Sequence, residues 1–154
     1  MYTWLVALHL VGFALFLVAH GVSMWASFRI RREPDRAVVA ALLGLSSRGS
    51  QLMYLGFLLL GIGGLGAAAS AGWLTAPWVV ASYVVIVVVI LLMYMVGAGF
   101  YYTLRDGLEG TEKTPRLDDT ELVARLDNRR PEALALIGGT GLLILIWLMT
   151  VKPG

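Results

Sequence analysis

His9 and His20 are the only histidines of the chain, and both fall inside its first apolar stretch, Tyr2 to Phe28. Eleven residues apart on a helix, they lie about 20° off a whole number of turns and roughly 16.5 Å apart along the axis. One face therefore carries both, together with Gly12, Phe13, Phe16, Ser23, Met24 and Ser27. If about 20 residues centred near Leu15 cross the hydrocarbon, each imidazole sits about 6–8 Å below its own interface. A polar ring at that depth is costly and marks a functional hypothesis.

One histidine near each leaflet is the layout of membrane cytochromes that hold two b-type haems, whose iron accepts histidine or methionine axially. No other segment offers a histidine, so each second ligand must be a methionine, a small ligand or a helix of another subunit. Met95 or Met93 is expected opposite His20, and Met149 opposite His9. Arg29 and Arg48, with Arg31 and Arg32, are placed to pair with propionates of an inner haem, since a guanidinium suits a carboxylate. On this reading His9→Ala and His20→Ala each remove about half of the bound haem.

Two other readings compete. The imidazoles can hydrogen-bond across helices to hydroxyls or backbone carbonyls and do nothing else. Alternatively, His20-x-x-x-Met24 and Met93-Tyr-Met95 offer imidazole and thioether ligands to cuprous ion, making His9 and His20 metal ligands of another kind.

Other chemistry is scarce. No Asp, Glu or Lys lies within an apolar span, which argues against a carboxylate proton relay, and no serine–histidine–acid or metalloprotease pattern is present. With no cysteine there is no disulfide, zinc ribbon or c-type haem attachment. Gly61-Ile-Gly63-Gly64-Leu-Gly66 matches the dinucleotide fingerprint by letter, but it lies inside an apolar span and position 86 is an isoleucine rather than an acid. Small residues every fourth position (Gly63, Ala67, Ala71; Gly64, Ala68, Gly72) read instead as a close helix-packing face. Gly97, Gly99, Gly138, Gly139 and Gly141 are expected to serve neighbouring helices in the same way.

The elements that must hold these residues follow from composition. The 154 residues are 58% hydrophobic and only 14% charged, with a mean hydropathy of +0.79, against about a quarter charged in a soluble domain. The balance excludes a soluble globular domain and a disordered chain, and a net charge of +2 gives no case for nucleic acid. Four stretches are long enough to cross a bilayer: 2–28, 51–70, 78–102 and 133–151. The first lacks the basic start and small-residue cleavage site of a signal peptide.

Connections 29–50 and 103–131 carry 11 of the 12 Lys and Arg residues, and the acids run from Glu33 to Glu132 in or beside the same two connections, while Ala71 to Pro77 is uncharged. The positive-inside rule then puts both termini outside and both charged connections in the cytoplasm. Tyr2, Trp4, Trp73, Trp78 and Trp147 form the outer aromatic level; Trp25, Tyr54, Tyr101 and Tyr102 form the inner one.

In the first connection, Pro34 suits the first turn of a helix and Ser46 to Ser50 reads as a break. Ala37 to Leu45, too short to span, is expected as a short interfacial helix. In the second, Gly107, Gly110 and Pro115 read as turn formers. They are followed by a short helix from Asp118 to Arg130 with capping acids, terminal arginines and a stripe of Leu122, Val123 and Leu126. That stripe either folds against the bundle or docks a partner.

The opening Trp4-Leu-Val-Ala-Leu-His9-Leu-Val-Gly-Phe-Ala-Leu-Phe16 resembles that of small four-helix bacterial membrane proteins, among them the copper-resistance protein D group and the membrane protoporphyrinogen oxidase group. The resemblance covers about the first 30 residues and, beyond them, the four-helix plan. It implies that His9, early in the first helix, is associated with b-haem. The oxidase group also has a functional lysine within its helical region, whereas Lys113 and Lys152 lie in a loop and at the terminus. Oxidase activity is therefore not carried over.

The expectation is an all-α, polytopic membrane protein: one integral domain, 1–154, of four transmembrane helices in an antiparallel bundle, in a bacterial inner membrane. Its function is read as a b-haem-binding subunit for electron transfer, without catalytic activity of its own. The alternative is a cofactor-free accessory subunit of a larger membrane complex or homo-oligomer, with copper handling as a third reading.

Overall fold

In the computed structural model, which describes residues 1–112 and 114–153, the chain is helical with no strand among the described residues. The elements are α1 (Tyr2–Ile30), α2 (Arg36–Ser70), α3 (Pro77–Met93), a π-helical turn (Tyr94–Ala98), α4 (Gly99–Glu109), α5 (Asp119–Leu126) and α6 (Arg130–Val151). Four helical stretches are long and apolar enough to cross a membrane. Their boundaries follow local chemistry. Pro34 disfavours helix at the residue before it, and Asp35 caps α2 by accepting from the Ala37 amide at 2.8 Å. Pro77 opens α3 at its first position. Gly72 and Gly110, with φ near +71° and +73°, turn the chain after α2 and α4.

Residues 37–45 are helical as expected, but the break at Ser46 to Ser50 is absent, and they form the first turns of a single 35-residue helix. The hydroxyls do not compete with the helix here. Ser50 Oγ donates to the Ser46 carbonyl one turn back at 3.0 Å, and Ser47 Oγ accepts from Arg105 at 3.2 Å. Pro34 correspondingly lies ahead of the α2 cap rather than in its first turn. Gly107 is likewise no turn former: it is buried inside α4, where an added Cβ would meet the Leu117 side chain at 2.7 Å.

α1 and α2 run antiparallel in close contact, α3 packs on α6, and α6 also touches α1. At the uncharged end Tyr2, Trp73 and Trp78 stack edge to face, with Lys152 Nζ 4.6 Å above Trp73. At the charged end Ile30, Val39, Leu43, Leu104, Leu108, Leu117, Leu122 and Leu126 form a dry cluster of the kind found in a soluble core. It gathers the ends of α1, α2 and α4 with α5, which is held by a full capping box between Asp118 and Glu121. The stripe of α5 thus folds against the bundle through Leu122 and Leu126, while Val123 faces outward.

Arg36 holds this cap together. Its guanidinium donates to the carbonyls of Leu108 and Leu117 and pairs with Asp119 at 3.2 Å. Arg36→Ala should cost about 2 kcal/mol, the scale of hydrogen bonds from a charged group. Limited proteolysis should then cut between Gly110 and Asp118 several-fold faster than in the wild type, with the spanning helices intact.

Candidate functional site

The seam between α1 and α2 is set by glycine. A Cβ on Gly12 would lie 2.2 Å from the Leu60 nitrogen, on Gly63 2.4 Å from the His9 nitrogen, and on Gly56 2.6 Å from the Phe16 nitrogen. All three contacts are with backbone, so the two helices touch main chain to main chain. The register is a seven-residue one: Gly12, Ala19 and Ala26 on α1 against Gly49, Gly56 and Gly63 on α2. Small residues at this spacing keep one narrow face toward the partner over many turns. Of the two four-residue rows expected from sequence, Gly63, Gly64 and the buried Ala68 lie at the packed face, whereas Ala67 is not fully buried, Ala71 caps α2 and Gly72 belongs to the turn.

His9 sits in this seam. Its Nδ1 lies 2.8 Å from the Leu60 carbonyl, and its ring occupies the place a Gly64 side chain would need, with Nδ1 2.8 Å from that Cβ position. The carbonyl can only accept, so the imidazole donates from Nδ1. This is both a cross-helix bond and the kind of backbone contact that fixes a ligating imidazole.

His20, on the same helix, meets different neighbours. Its ring stacks on Phe16 at 5.4 Å with the planes 7° apart. Its Nε2 approaches α6 at Gly138, where an added Cβ would lie 3.4 Å from Nε2, 3.5 Å from Met93 Cε and 3.9 Å from Met93 Sδ. An imidazole from α1 and a thioether from α3 thus converge on a bare glycine of α6. The π-turn begins directly after Met93, and such turns recur at functional sites because they re-aim side chains. It also disturbs the helical ladder, and Arg130 from α6 donates to the Val96 carbonyl within it. One turn toward the charged end from His20, Ser23 Oγ is buried without a hydrogen-bond partner among the described residues. Buried orphan hydroxyls call for a water or ligand.

The other sequence-derived ligands are placed differently. Met95 lies inside the π-turn and is 77% exposed, so Met93 takes the position opposite His20. Met149 is three residues below Lys152 at the aromatic end and His9 seven below Tyr2, a difference in depth of about 6 Å. The two are not brought level. Arg29 is engaged by Glu33, and Arg31 by Glu132 and Asp127. Arg48 turns toward α4, where it lines a cleft with Arg105. Among the described residues, no three His, Cys, Asp or Glu side chains gather as a metal site. Gly138 and Gly141 do serve close contacts, the latter with Val89, whereas Gly99 and Gly139 face open space.

Four long apolar helices, with all charge but Lys152 in or beside two connections, define a multi-pass integral membrane protein. More narrowly, the chain belongs to the family described as "Predicted integral membrane protein (DUF2269)", whose model matches residues 3–153. No curated protein and no solved structure matches it. The family match covers the whole bundle. It lends no support to the resemblance to the copper-resistance and protoporphyrinogen oxidase groups.

Proposed function

We propose that this protein is a b-haem-binding membrane subunit for electron transfer, with its haem between α1, α3 and α6 at His20. The observation that carries the reading is the convergence of His20 Nε2 and the Met93 thioether on Gly138. One imidazole and one thioether are too few donors to cage a bare ion, but they are of the two types that haem iron accepts, so His20 and Met93 would be the residues that hold it. The missing Cβ at position 138 lets α6 lie close to both donors, and the unpartnered Ser23 hydroxyl one turn away would be available to a polar group of the haem. When bound, the haem would supply a one-electron couple. The chain would fix the axial ligands, keep water from the site and set its polarity.

By this reading the charged end is cytoplasmic, both termini face outward in a bacterial inner membrane, and donor and acceptor are other membrane subunits or a second copy. The resemblance points to His9, yet the thioether lies beside His20, so His9 would need a second ligand from outside the chain.

A dithionite-reduced minus oxidised visible spectrum, with haem quantified per chain on gently solubilised protein, tests the proposal. Sharp reduced bands at one haem per chain are expected. A featureless spectrum after haem-sufficient expression would overturn it. The runner-up, a cofactor-free accessory subunit, is favoured by one observation: His9 spends its Nδ1 proton on the Leu60 carbonyl in a seam whose other members are packing glycines. It predicts no haem and no copper by elemental analysis, and co-purification with larger proteins.

A further inference from the structure

A second cleft, independent of the His20 site, opens at the charged end between α2 and α4. It has a volume of about 210 Å³; the buried Leu43 and Leu108 are among its apolar lining residues, and Ser47, Arg48, Arg105 and Glu109 are its polar ones. Among the described residues neither Arg48 nor Arg105 takes part in an ion pair, unlike Arg29, Arg31 and Arg36. Arg105 is instead oriented by its bond to Ser47 Oγ at 3.2 Å. Two guanidinium groups that face one cleft and lack a carboxylate partner suit a phosphate, which they can grip through several parallel N–H donors.

The depth selects the source of that phosphate. Tyr54 and Tyr102 belong to the aromatic belt at this end and are both 65% exposed. Arg48 lies six residues beyond Tyr54 and Arg105 three beyond Tyr102, so the cleft sits about 5–9 Å past the belt. That is the headgroup layer, which extends some 5–8 Å beyond the hydrocarbon on each side. The charge selects further. Two arginines and Glu109 leave the cleft with one net positive charge, which balances a singly charged phosphodiester better than a doubly charged free phosphate. We infer that this cleft is a binding site for the phosphodiester headgroup of a membrane phospholipid, with Arg48 and Arg105 on the phosphate and the lining leucines against the glycerol end.

The full-length chain, delipidated in mild detergent, is titrated with phosphatidylglycerol, with diacylglycerol of the same acyl chains, and with inorganic phosphate. Retained lipid is read by native mass spectrometry and protection by thermal unfolding. Wild-type protein is expected to hold one phosphatidylglycerol and raise its unfolding temperature, with no response to diacylglycerol. Arg48→Gln with Arg105→Gln should weaken retention about tenfold or more, whereas Arg32→Gln, a charge removed from the same end but outside the cleft, should not. Equal weakening by Arg32→Gln would reduce the effect to general surface charge and overturn the site. Inorganic phosphate that protects as well and displaces the lipid would overturn the lipid in favour of a free anion. Haem content plays no part in these readouts, so the two proposals stand or fall separately.

Discussion

Gly12→Ala should leave almost no folded protein. The added methyl would lie 2.2 Å from the Leu60 nitrogen and 2.7 Å from the Gly56 carbonyl oxygen, and neither backbone atom can turn aside. The only relief is to move α1 away from α2, which loosens the Gly56 and Gly63 contacts and stretches the His9 bond to Leu60. Dispersion falls steeply with separation, and in a membrane no hydrophobic drive holds helices together once close packing is lost. The expected cost is about 3 kcal/mol, the upper end of ordinary overpacking. It should appear as a collapse in yield after mild solubilisation and a sharply lowered unfolding temperature. Gly21→Ala and Gly61→Ala are the matched controls, because nothing lies within 4 Å of either Cβ position. They should be neutral or gain up to about 1 kcal/mol from helix propensity. A Gly12→Ala protein as stable as Gly61→Ala would mean that the helices are not in backbone contact.

The same contrast explains what the amino-acid sequence makes legible. Spans and charged connections are set by transfer free energies summed over some 20 residues, so single errors of reading hardly matter. The capping acids of α5 are equally local, and Asp118 and Glu121 do close a capping box. Ser46 to Ser50 misled because Ser and Gly break helices in water, where the backbone has other partners. Within this bundle the same residues are the ones that let α2 approach α1 and α4.

The seam itself was readable in principle as small residues at 12, 19 and 26 facing 49, 56 and 63, a period of seven hidden beneath a more obvious period of four. The partner of His20 was not readable. Met93 and Met95, two residues apart, lie about 200° apart on a helix and so face opposite sides, and which of those sides meets α1 and α6 is decided by packing that no local pattern announces. Nor does an 11-residue spacing on one helix face reveal that His9 meets α2 while His20 meets α6. Depth and face come from the helix, but neighbours come from packing.

That choice between methionines gives the sharper test of function. If His20 and Met93 are the axial pair, His20→Ala should abolish the sharp reduced bands and lower haem content by at least about tenfold, since only a thioether would remain. Met93→Leu should do something different. The imidazole would still hold the haem, but the iron would lose its sixth ligand, so the bands should broaden. Its potential should also fall, because thioether ligation favours the reduced iron. Met95→Leu should change neither spectrum nor potential, since that side chain is 77% exposed. Gly138→Leu would fill the space between Nε2 and Sδ and should remove haem while both ligands remain. His9→Ala should cost about 1 kcal/mol for one hydrogen bond and leave the bands in place. If instead His9→Ala removes the bands and His20→Ala spares them, the axial assignment must move to the α1–α2 seam, with Met93 no more than a packing residue against Gly138.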